Sequence, residues 1–129
     1  MKLTIIQPAI GKKDSKDYVG TWKMEPLPPA ILASLTPSDV KVVFYDDRIE
    51  DIPFDEPTDL VAMPVETFTA KRSYIIAAKF RERGIPVILG GIHPTLIPEE
   101  AIQFADSIVV GGVETIWGKI IDDFKNKRY

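Results

Sequence analysis

A parallel α/β sheet covered by helices on both faces is the fold class this sequence predicts, and three observations predict it. Short apolar runs alternate with segments of helical periodicity along the whole chain. The runs are apolar at consecutive positions instead of every second one, as strands covered on both sides must be. Glycine or proline follows nearly every run, so each unit stays short. Such alternation closes into parallel pairing through right-handed crossovers.

The first strand is "KLTIIQ", Lys2 to Gln7, ended by Pro8. The next twenty residues, "PAIGKKDSKDYVGTWKMEPL", carry no period and read as a long loop. In "PPAILASLT", two prolines suited to a first turn precede Ile31, Leu32 and Leu35 at helical spacing, which predicts a short helix over 28–36. "VKVVFYDD" supplies a second strand over 41–45. "RIEDIPFDEPTD" is broken by two prolines and is a connector with no more than one turn.

"LVAMPV", 60–65, is the third strand. After it Ser73, Ile76, Ala77 and Phe80 fall at i, i+3, i+4 and i+7 with Lys and Arg opposite, an amphipathic helix with Thr69 as N-cap and Gly84 as left-handed C-cap. "IPVILGG" is the fourth strand, Pro98 to about Ala105 a helix with Glu99 and Glu100 in its first turn, and "SIVVGG" the fifth strand. A last helix from about Glu114 carries Trp117, Ile120, Ile121 and Phe124 on one stripe. No repeat or linker interrupts residues 1–129, which read as one Rossmann-like domain of three layers. The flavodoxin-like strand order 2-1-3-4-5 follows, with a ligand expected beyond the carboxyl ends of the strands, between strands 1 and 3. "QPAIG", "VETFTA", "GGIHPT" and "GGVET" are the loops that meet there.

Composition removes several function classes. With 129 residues the chain is long enough to bury roughly two-thirds of its unfolded surface. A net charge of −3, with "KNKR" as the only basic cluster, leaves no electrostatic footprint for nucleic acid. No apolar run approaches the length of a membrane span, and the first residues are too soon charged for a signal peptide, so a cytoplasmic location is expected. The absence of cysteine excludes thiolate zinc sites, iron–sulfur ligation and cysteine nucleophiles in this chain.

Several residues have a structural reading beside a functional one. Gly90 and Gly91 serve helix–sheet packing, ligand contact, or both. His93, the only histidine, would need carboxylate co-ligands alone to hold a metal, so a hydrogen-bonding role is expected. Asp46 and Asp47 resemble the acidic pair of a phosphate-accepting domain but end the second strand, where that pair must end the first; they read as surface residues. Thr67 and Thr69 are cap or ligand residues, and the Trp117 stripe is core. Trp22 and Tyr18 sit in a loop with no evident core, where they would cover a ligand or dock on another domain.

The ordered set "GG-x-H-x-T-x-x-P-E-E-A", "AD-x-x-V-x-G" and "W-x-x-x-x-x-D", after the threonine-rich turn "VETFTA" and with "WKMEPLPPAILASL" upstream, resembles the N-terminal cobalamin-binding-type domain of B12-binding radical SAM proteins. The resemblance spans nearly the whole chain. It implies a corrinoid lying across the strand ends. Thr67 and Thr69 would be polar contacts, with Gln7 and Pro8 on the first loop. Gly90, Gly91, His93 and Thr95 would line the pocket for the nucleotide tail, and Gly111, Gly112 and Glu114 would close the far edge. It implies no catalytic or metal-ligating residue here: S-adenosylmethionine and the iron–sulfur cluster would belong to a barrel domain outside this sequence, the partner beside which the cobalamin is held, most often for methyl transfer.

Two departures refine this. The axial-histidine motif D-x-H-x-x-G is missing after the first strand, which implies cobalamin held base-off with no histidine on cobalt. The usual acidic residue after the fifth-strand glycine is here Gly112. The alternative is an interaction domain that kept the fold and lost the ligand, covering the barrel or a substrate, or pairing as a homodimer through an exposed apolar patch. A nucleotide or phosphate site is the third reading; G-x-G-x-x-G and the P-loop lysine are both missing.

Overall fold

The computed structural model describes residues 1–13, 17–18 and 24–129, residues 12–13 and 17–18 by their backbone alone. Trp22 and the Tyr18 side chain therefore lie outside the described residues. In chain order the elements are β1 (Lys2–Gln7), β2 (Lys12–Lys13), β3 (Asp17–Tyr18), α1 (Leu27–Leu35), β4 (Lys41–Asp46), β5 (Leu60–Pro64) and α2 (Ala70–Glu82). There follow β6 (Val87–Gly90), α3 (Ile92–Leu96), α4 (Pro98–Ala101), β7 (Ser107–Ile108) and α5 (Trp117–Lys125).

The main sheet runs β4-β1-β5-β6-β7 and every pairing in it is parallel. Counting only its own strands, this is the expected order 2-1-3-4-5. The register sorts the side chains into two cores. Leu3, Leu60, Ala62 and Ile88 face α1 and α5 with Leu32, Trp117, Ile121 and Phe124. Ile6, Val61, Met63, Val87 and Leu89 face α2 with Ile76, Ala77 and Phe80. Both sets are buried, which is why the strands are apolar without alternation. The stripe predicted for α2 is buried at all four positions, and Trp117 is core as read.

The structure departs from the sequence reading at several places. Residues 12–13 and 17–18 pair antiparallel inside the expected long loop. The segment after Gly91 is the short helix α3, since Pro94 stands in a first turn that needs no N–H from it and Thr95 donates to Gly91 O through both N–H and hydroxyl. β7 is only two residues long; Val109 N still donates to Leu89 O, and Gly111 beyond it has φ +84°. The last helix starts at Trp117 instead of Glu114, after turn hydrogen bonds to Val113 O.

Thr69 makes no side-chain cap to α2; its hydroxyl instead accepts from Glu66 N and donates to Glu66 O, both at 3.1 Å. Asp46 and Asp47 are not surface residues. Both are buried, Asp47 completely, and each carboxylate takes a two-point grip from an arginine: Arg48 on Asp46 and Arg72 on Asp47.

Candidate functional site at the strand ends

β1 and β5 are neighbours whose connections leave in opposite directions, so their carboxyl ends open a crevice. Two adjoining hollows fill it. The deeper, of about 330 Å³, is walled by Ile31 and Leu32 of α1, Trp117 of α5, and Val109, with Gly90, Gly91, Gly111 and Gly112 along its rim. The second, of about 650 Å³, runs over Gln7, Pro8, Ile10, Met24, Leu27 and Phe68. Pro28, Pro64 and Glu66 border both, so they form one cleft. Each volume lies within the roughly 300–1,000 Å³ typical of small-molecule sites.

The sequence-predicted residues divide into three groups. Gly90, Gly91, Gly111, Gly112 and Glu114 line the deeper hollow; Gln7, Pro8 and Thr69 line the broader one. Thr67, His93 and Thr95 line neither. Thr95 ties two loops together, donating to Gly91 O at 2.8 Å and accepting from Gly111 N at 2.9 Å.

His93 is only 4% exposed and is held by Tyr74, Glu100 and Thr67. Tyr74 donates its hydroxyl hydrogen to Glu100 at 2.9 Å. That assigns the ring proton to Nε2, 3.1 Å from Glu100 Oε1 and 3.0 Å from Tyr74 Oη, and leaves Nδ1 to accept from Thr67 at 3.4 Å. Burial and the Glu100 carboxylate push the Tyr74 hydroxyl well above its ordinary pKa, while the hydrogen bonds from Tyr74 and then His93 hold Glu100 below its own. The imidazole is thus engaged at both nitrogens.

Gly91 has φ +99°, and a Cβ on it would stand 2.9 Å from Val65 N and 3.0 Å from Val65 O. What this glycine admits is the backbone at the end of β5. Gly90 is different: a Cβ there meets only Val109 Cβ, at an ordinary 3.6 Å.

Sequence reasoning did not single out Glu66, Ile31, Pro28 or Trp117 as cleft walls. The only available signal was the topology, which sets α1 and the start of α5 beside the strand ends. Among the described residues no group of three or more His, Asp or Glu is placed to hold a metal, and no helix is long and apolar enough to cross a membrane.

No protein-family model matches the chain, and no solved structure matches it. Two curated proteins of Chlorobaculum tepidum are similar to it. One is a bacteriochlorophyllide d C-8(2)-methyltransferase, 41% identical over 99 residues, covering 76% of this chain and 22% of that protein. The other is a bacteriochlorophyllide d C-12(1)-methyltransferase, 35% identical over 105 residues, covering 79% of this chain and 23% of that protein. The chain therefore spans less than a quarter of the length of the methyltransferases that it resembles.

Proposed function

We propose that this chain is the cobalamin-binding module of a radical SAM methyltransferase, holding the corrinoid beside a catalytic barrel. The observation that carries the reading is the apolar cleft at the β1/β5 switch point, in a chain similar to part of two methyltransferases. A corrinoid, when bound, supplies a cobalt centre for methyl-group transfer; the protein supplies position and surroundings.

The residues fit such a group. Ile31, Val109 and Trp117 give one end of the cleft an apolar lining that takes a flat heterocycle and excludes water from it. Gln7, Pro8, Phe68 and Thr69 form a wider floor for the ring periphery. The one histidine is buried away from the cleft with both nitrogens engaged, which supports a corrinoid with no protein imidazole on its metal. The Thr67, His93 and Thr95 set then acts behind the cleft, setting the β5 and β6 loops.

Around the cleft Ile10, Met24, Leu27, Phe68 and Ile92 are large apolar residues left between 36% and 64% exposed. Such a rim marks a surface that another protein unit covers, and in this reading that unit is the barrel. The same rim would serve an interaction domain without a corrinoid. Incubation of the folded domain with hydroxocobalamin, followed by desalting and a visible spectrum, separates the two. Retained base-off corrinoid bands are expected; a colourless, folded protein, both alone and joined to its barrel, would overturn the corrinoid reading.

A further inference from the structure

The charge pattern of the cleft limits what its occupant can carry at the edge facing it. The deeper hollow is bordered by two carboxylates, Glu66 and Glu114, and by no lysine, arginine or histidine among the described residues. Among the described residues the broader one has a single cation, Arg48. That guanidinium is committed: Nε and one Nη donate to the two Asp46 oxygens at 2.9 and 2.8 Å, and the other Nη donates to Met24 O at 3.0 Å.

The start of α1 offers an anion nothing either. α1 begins at the cleft, and a helix N-terminus ordinarily presents several free N–H groups there. Here Pro26, Pro28 and Pro29 have no N–H, and the Leu27 N–H donates to Glu25 O at 2.9 Å. Ala30, the next residue, already donates to Pro26 O. The first turn is thus without a free donor.

We propose that the cleft selects a neutral, amide-bearing corrin periphery and rejects carboxylate-bearing analogues, with Glu66 and Glu114 as the selecting residues; this rests on the corrinoid reading above. Primary amides donate to carboxylates in charge-assisted hydrogen bonds, whereas a ligand carboxylate would face like charge. A phosphodiester on a nucleotide tail then stays toward solvent, with the heterocycle inside. Glu66 stands where the two hollows join, and Glu114 folds its carboxylate over Gly112, 2.7 Å from where a Cβ would sit.

The test compares dicyanocobinamide, whose side chains are amidated, with dicyanocobyrinic acid, whose side chains are carboxylates, by isothermal titration. Wild-type protein and the E66Q/E114Q double variant are used, with circular dichroism as the folding control. Expected is roughly tenfold or greater preference for the amide in wild type, with most of that gap gone in the double variant. Equal binding of the two by wild type, or an unchanged gap in the double variant, overturns the selection and leaves the corrinoid reading standing. Folded protein that binds neither overturns that reading, and this inference with it.

Discussion

The Cα of Gly91 lies against the backbone of Val65: Val65 N donates to Gly90 O at 2.7 Å, His93 N donates to Val65 O at 3.0 Å, and no space remains for a Cβ between them. The end of β5 is clasped on both sides of that glycine. Gly91→Ala should therefore destabilise the fold by about 2–4 kcal/mol, from the glycine-only backbone conformation together with overpacking. Urea unfolding followed by circular dichroism measures it, and a cost below about 0.5 kcal/mol would show that the clasp yields.

Gly90 is the place to block the cleft without touching the fold. Its side-chain direction leads toward Val109, which lines the deeper hollow. Gly90→Leu should abolish retention of hydroxocobalamin while its circular dichroism spectrum matches wild type. Undiminished retention by a folded variant would place the ligand elsewhere.

Trp117 reports on the same hollow. The indole is buried, donates from Nε1 to Thr36 Oγ1 at 2.9 Å, and forms part of the lining. In a Trp22→Phe background it is the only tryptophan, so a corrinoid in the hollow should quench its emission in proportion to occupancy. Binding by titration calorimetry with unchanged emission would contradict this position.

Asp47 is wholly buried, with Ala9 N at 3.1 Å and Arg72 gripping both its oxygens at 2.8 and 2.7 Å. Arg72→Ala leaves a buried carboxylate without its counter-charge and is expected to cost about 3–5 kcal/mol in chemical unfolding. A loss typical of surface pairs, under about 1 kcal/mol, would mean that water reaches Asp47.

The Tyr74–Glu100 pair gives stability a dependence at both ends of the pH scale. Tyr74, raised, keeps its proton to higher pH in the folded chain than in the unfolded one. Its contribution is complete below about pH 10 and fades as pH rises through the folded pKa. Glu100, lowered first by Tyr74 and then by His93, works the other way. Its contribution is complete above about pH 4.3 and is lost as pH falls through the folded pKa. Melting temperature against pH should lose slope at both ends in Tyr74→Phe, with Tyr45, raised by its hydrogen bond to Glu56, retaining part of the alkaline slope. Superimposable profiles would refute the coupling.

Strand order, the two-faced sheet and the α2 stripe were legible in the sequence because they rest on local patterns. Consecutive apolar residues show that both faces are covered, and 3.6-residue spacing identifies one buried side of a helix. The glycine-rich strand ends were legible as a meeting place for the same reason. What the sequence could not convey is which way a side chain at such an end turns. Gly90 and Gly91 are adjacent, yet one faces the cleft and the other the Val65 backbone, since successive residues on a strand point to opposite sides and φ at Gly91 is positive. His93, four residues past Leu89 near the same cleft, turns inward because Tyr74, nineteen residues away, and Glu100 meet it there. Asp46 and Asp47 are charged and look like surface from their own neighbourhood. Arg72, twenty-five residues further on, is what allows Asp47 to be buried. The sequence by itself determined the layers and the crevice between strands 1 and 3. Only the tertiary structure decided which residues of each loop face that crevice and that its borders are acidic and apolar, because those depend on partners brought together from separate segments of the chain.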